Sequence, residues 1–126
     1  MTPEELSERL LDHAQSPYHL GSLPTASHRG VAANPDCGDL VEVELRISAD
    51  GLLIQEAWFK SQGCLICRGG ASLLMEHLEG KGRAELEALS VADVLQLIGV
   101  SLAPLRQRCV LLALLALRNL HPVQAS

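Results

Sequence analysis

The chain has 126 residues, which suits one domain with a modest core, and its 48% apolar against 20% charged residues exclude a disordered chain. The formal charge is −5, with no basic run and no interleaved aromatic platform, which argues against nucleic acid as the main partner. The longest apolar run, Val110–Leu117, falls far short of the roughly 20 residues of a membrane span, and the acidic start (Glu4, Glu5, Glu8, Asp12) is unlike a secretory or transit leader.

The expectation is therefore a single cytoplasmic domain over residues 1–126, with no membrane contact. Trp58, Phe59 and Tyr18 are the only aromatics, so Leu, Val, Ile and Ala must build the core.

The first helix is announced by Thr2-Pro3-Glu4-Glu5: Thr2 as cap, Pro3 at the first helical position and Glu5 closing a capping box. Leu6, Leu10 and Leu11 give it an apolar stripe, and Ser16-Pro17 ends it. Residues 17–30 are rich in Pro, Gly, Ser and His and read as an irregular connection. A short strand is expected over His28–Ala33, then a turn at Asn34-Pro35-Asp36.

Leu40–Ser48 alternates cleanly. Val41, Val43, Leu45 and Ile47 share one face, and Glu42, Glu44 and Arg46 the other, which is the pattern of a half-solvated strand. Ala49-Asp50-Gly51 is a turn signal, and Leu52–Lys60 returns as the hairpin partner, less regular and suggestive of a bulge.

Ser61-Gln62-Gly63 breaks that strand. A helix then covers Leu65–Glu79, with Ala71, Leu74, Met75 and Leu78 at core spacing, and Gly80-Lys81-Gly82 ends it. Ser90 caps a short helix over Val91–Ile98, and Pro104 opens a last helix to about Asn119. A helix, a small antiparallel sheet of about three strands and then more helices predict a two-layer α+β domain with helices on one face.

Four cysteines are present: Cys37, Cys64, Cys67 and Cys109. In a reducing compartment, spaced cysteines point to metal binding, redox or sulfur chemistry rather than to two disulfides. Cys37 follows a turn and precedes Gly38 and Asp39. In an extended segment Cys37 and Asp39 project to the same side, so a soft sulfur and a hard oxygen could reach one metal; Asp39 could equally just cap the turn.

Cys64 sits where a strand gives way to a helix, whose free amides and partial positive charge stabilise a thiolate. Cys67 is one turn on and could face the same side or be a small buried residue of the helix. Cys109 lies in the opening turns of the last helix. There it is either a site thiol, favoured as thiolate by Arg106 and Arg108, or a core cysteine. Among the histidines, His28 is the one to follow, because it lies on the approach to Cys37.

Taken in order, these segments resemble the NifU/IscU/SufU family of iron–sulfur cluster assembly scaffolds. The residues that carry the resemblance are Asn34-Pro35-x-Cys37-Gly38-Asp39, Ala57-x-Phe59 leading to Gly63-Cys64, and Pro104-x-Arg106-x-x-Cys109. Ala71-Ser72, Gly80-Lys81 and the N-terminal Asp12-His13, Ser16-Pro17 and Gly21 extend it over nearly the whole chain.

The resemblance implies a scaffold, not a conventional enzyme. It would build a [2Fe–2S] cluster on Cys37, Cys64 and Cys109, assisted by Asp39, with sulfur from a cysteine desulfurase, and pass it to recipient apo-proteins. Iron is the implied metal, with zinc as an alternative resting metal and Cys67 as a possible extra ligand.

The chain also departs from parts of the family. Arg108 stands where one branch has histidine, which looks more like the SufU branch, yet that branch's insertion between the second and third cysteines is absent. Leu-Pro-Pro-Val-Lys, a chaperone-binding motif of the other branch, is replaced by Ser101-Leu102-Ala103-Pro104-Leu105. The rival implication is a zinc-dependent sulfur-transfer protein with Cys109 as persulfide acceptor. A metal-free interaction module is the third, in which the Val110–Leu117 helix could form a homo-oligomer interface.

Overall fold

The computed structural model describes residues 3–35, 38–99 and 101–123. The expected cap at Thr2, Asp36 of the expected turn, and Cys37 itself lie outside the described residues.

Helix α1 (Pro3–Gln15) starts at the proline, whose missing N–H costs nothing at that position. Among residues 8–15 of the helix, whose side chains are described, Leu10 and Ala14, four apart and thus on one face, are buried, while Leu11, expected in the stripe, is 46% exposed; the side chain of Leu6 lies outside the described set. After α1 the chain crosses to the sheet.

Strands β1 (His28–Asn34), β2 (Asp39–Ile47) and β3 (Ile54–Gln62) follow, and a two-residue β4 (His121–Pro122) closes the set. The antiparallel sheet has the order β3-β2-β1-β4. Strand β4, outside the expected three, pairs with His28 and Arg29. The expected bulge is present: Arg46 faces Glu56 and Ile47 faces Ile54, so Gln55 is the extra residue. Strand β3 also runs on through Ser61 and Gln62, past the expected break, because both pair with β2.

The alternation of β2 decides which face is covered. Val41, Val43 and Leu45 are fully buried beneath the helices, and Glu42 and Arg46 are partly exposed on the other face. Glu44 departs from this pattern at 1% exposure. Arg29 Nη2 at 3.2 Å and Lys60 Nζ at 3.4 Å, from the strands on either side, pair with its two oxygens and screen it.

Helix α2 (Leu65–Leu78) packs on β3 and α5 (Pro104–Arg118) on β1 and β2, with α1 against α2 and α4 (Val91–Ile98) against α5. The capping box expected at Ser90 forms with Asp93. Between α2 and α4 lies α3 (Arg83–Glu87), a single turn with no side-chain cap and no sequence signal of its own.

Two adjacent glycines set the packing of α2. A Cβ on Gly69 would stand 2.6 Å from the Leu10 carbonyl oxygen of α1, and one on Gly70 would stand 3.1 Å from Val110 Cα of α5. Helix backbones thus meet without side chains between them.

At the far end of α2, Glu79 ties the connection after α1 to the sheet edge. Its carboxylate accepts the Tyr18 hydroxyl and the Ala57 N–H (3.0 Å), and pairs with His19 Nδ1 at 2.8 Å. Hydrogen bonding to Glu79, then burial, pushes the Tyr18 phenol up to about 12. His19 has a positive φ of 53°, uncommon for a residue other than glycine, and its ring stacks on Trp58 at 4.3 Å.

Candidate metal centre

The centre forms where three elements begin or pass. Asp39 opens β2, Cys64 caps α2 and Cys109 lies in the second turn of α5. One ligand atom from each lies within 4.8 Å of the other two. Residues 25 and 70 positions apart in sequence therefore share one point.

Asp39 holds this arrangement together. Its side chain is 3% exposed, and Oδ1 accepts the Cys64 N–H at 3.0 Å. Oδ2 accepts the Cys109 thiol at 3.4 Å and, more distantly, the Cys64 thiol at 3.9 Å. Asp39 thus reaches across to a helix start, beyond any capping of its own turn.

Gly63 makes room for it. A Cβ there would stand 1.8 Å from Asp39 Oδ1, and its φ of +128° also favours glycine. Gly38, at φ +71°, has open space around it on the other side of Asp39.

Cys64 stands at the expected strand-to-helix junction, as N-cap of α2, and its sulfur accepts the Cys67 N–H at 3.4 Å. Burial is the first cause that pushes the Cys109 thiol up to about 12, followed by hydrogen bonds to Cys64 and Asp39. That corrects the expectation that Arg106 and Arg108 favour its thiolate: withdrawal from water and the neighbouring acid outweigh them. Arg106 does border the centre, whereas Arg108 lines a different groove, beside Pro35 and Leu111.

Cys67 is outside the three-residue group and lies in the hydrophobic core at 1% exposure. Burial first, then the charges of Asp39, Cys64 and Cys109, push its thiol up to about 12. His28 is not part of the centre. It begins β1, bonded to Ser27, six residues or about 20 Å from the Asn34 end that faces Asp39.

The centre opens to solvent through a depression of about 350 Å³ lined by Asp39, Gly63, Cys64, Leu105, Arg106 and Cys109. Two thiols and a carboxylate suit zinc or iron, once the thiols release their protons. Sequence reasoning missed the steric demand on Gly63 and the Asp39–Cys64 bond; a glycine directly before a helix-capping cysteine was the available signal.

A two-layer α+β domain with thiols and a carboxylate converging at one end of its sheet has the makings of a small thiolate-type metal-binding protein. The chain belongs to the NifU-like N terminal domain family, whose model matches residues 5–120.

It is 33% identical over 117 residues to the bifunctional protein NifU/MnmA of Rubrobacter xylanophilus, covering 93% of this chain and 24% of that protein. It is 29% identical over 110 residues to the iron–sulfur cluster assembly scaffold protein IscU of Escherichia coli, covering 85% of this chain and 84% of IscU. The fold matches the crystal structure of a putative SUF-system scaffold protein from Fervidobacterium islandicum at a TM-score of 0.70 and 21% identity, over 88% of this chain and 92% of that one. An N-terminal NifU-like protein from Brucella abortus matches at a TM-score of 0.67 and 15% identity, over 91% of this chain and 92% of that one. Among the described residues, no helix is long and apolar enough to cross a membrane.

Proposed function

We propose that this chain is a scaffold for iron–sulfur cluster assembly. Iron and sulfide are its cargo, collected as a [2Fe–2S] cluster on Cys37, Cys64 and Cys109 with Asp39, and handed to apo-proteins. A cysteine desulfurase supplies the sulfur, in the reducing setting of the cytoplasm. The observation that carries this reading is the meeting of Asp39, Cys64 and Cys109 within 4.8 Å beside an open depression. Family membership and the likeness to IscU support it. A carboxylate among thiolates makes a more labile site than a full cysteine set, which suits delivery.

The test is anaerobic reconstitution with ferric iron and sulfide, followed by the visible spectrum. Cluster bands are expected in the parent and lost in Cys37→Ala, Cys64→Ala and Cys109→Ala. A parent without bands, or a Cys37→Ala protein with unchanged bands, would overturn the reading.

One observation favours a second reading. Arg106 lies at the rim of the same depression as Cys109, where it suits an anionic persulfide. The protein would then be a zinc-dependent sulfur acceptor. A persulfide on Cys109 after incubation with desulfurase and cysteine, with retained zinc and no cluster, would select this reading.

A further inference from the structure

The start of α2 carries a second thiol that the scaffold reading does not use. Cys64, at the N-cap, is partly exposed, whereas Cys67, three residues on, is 1% exposed. Solvent reagents therefore meet Cys64 first. The Cys64 sulfur already lies over the turn that bears Cys67, accepting its N–H at 3.4 Å. Residues three apart on a helix have Cα atoms about 5 Å apart, inside the range a disulfide spans. Cys109 competes for the same sulfur: it is hydrogen-bonded to Cys64, and Asp39 Oδ2 accepts from both thiols.

We propose that Cys64 and Cys67 form a dithiol–disulfide pair whose oxidation withdraws Cys64 from the metal centre. The proposal rests on the reading of Cys64 as a ligand. The oxidant is a low-molecular-weight disulfide. The Cys64 thiolate attacks one of its sulfurs, forms a mixed disulfide and releases one small thiolate. Cys67 then gives up its proton, its sulfur attacks Cys64 Sγ, and the second small thiolate leaves. The released thiolates take up the two protons, so two cysteine thiols are oxidised and one small disulfide is reduced. A metal ion engages the Cys64 thiolate, so metal loading and oxidation exclude one another. An excess of reduced thiol runs the exchange backwards.

The sequence makes the test direct. Lys60 and Arg68 flank both cysteines, so trypsin leaves them in the single peptide Ser61–Arg68, apart from Cys37 and Cys109. Metal-free full-length protein is treated with oxidised glutathione, alkylated, digested and weighed, and zinc is titrated in parallel. The expected peptide carries no alkyl group and is lighter by two hydrogens. Oxidised protein should bind zinc about tenfold or more weakly than reduced protein, and zinc loading should slow the oxidation about as strongly. In Cys67→Ser the same peptide should keep the glutathione adduct, the trapped first step.

A reduced parent that binds zinc yet gives no internal disulfide overturns the pair alone, as does a Cys64–Cys109 cross-link in its place. Equal zinc affinity before and after internal oxidation also overturns the proposal. A reduced parent that binds no zinc overturns the reading of Cys64 as a ligand, whatever the peptide shows.

Discussion

Helix α2 has a carboxylate at each end, and the two are used differently. At its C-terminal end Glu79 receives a backbone N–H, a phenol and an imidazole. At its N-terminal end Asp39 receives one backbone N–H, and its other partners are thiols at 3.4 and 3.9 Å. Glu79 is satisfied by strong donors and acts as a staple. Sulfur is a weak donor, so Asp39 is held in place by one strong bond while its second oxygen can exchange a thiol proton for a metal ion. The comparison teaches that a carboxylate's partners, more than its burial, separate a structural group from a candidate ligand.

The largest effect should come from Gly63→Ala. A methyl group 1.8 Å from Asp39 Oδ1 must displace the carboxylate, and the positive φ adds strain. We expect a loss of about 3 kcal/mol in urea unfolding, together with lost metal binding. Parent-like zinc affinity in this variant would show that Asp39 is dispensable and would remove the contrast between the two ends.

The two carboxylates can then be exchanged for amides. Asp39→Asn should weaken zinc binding by about tenfold while changing stability by less than about 1 kcal/mol. Glu79→Gln should do the reverse, lowering stability by about 1–2 kcal/mol and leaving zinc affinity unchanged. Equal effects on both readouts in both variants would sink the distinction.

The smallest effect concerns the side of α2 between those ends. Ser72, fully buried, accepts the Tyr18 N–H at 2.7 Å, and its hydroxyl oxygen lies 2.7 Å from His13 Nδ1. Burial, the largest cause, holds His13 below its usual value against the opposing charge of Glu76. As pH falls through about 6.5, the unfolded chain takes up a proton that the folded ring resists, so stability should fall on the acid side. Urea unfolding between pH 7 and 5 should show this slope in the parent and a shallower one in His13→Gln.

Much of this molecule could be read from its sequence. The alternation of Val41, Val43, Leu45 and Ile47 marked the buried face of β2, and Ser90 and Pro104 marked the starts of α4 and α5. The Cys64 junction was equally plain, because a thiol after Gly63 ends one periodicity and begins another.

Other features depend on partners far away in the chain. Glu44 is buried only because Arg29 and Lys60 flank it across the sheet. The short β4 exists only by pairing with β1, and the Glu79 staple joins residues some sixty positions apart. At the centre, the direction of the Cys109 shift depended on burial, which local charge could not reveal.

The bare helix contacts of Gly69 and Gly70 bear on how freely this sequence can drift. Gly70 seats α2 directly against Val110, the neighbour of Cys109. The separation of the helices that bear Cys64 and Cys109 is therefore set by main chain touching main chain and Cβ, not by the girth of an intervening leucine. Core leucines elsewhere can change size over generations without retuning the bite between the two thiols. Gly70 is where that freedom ends.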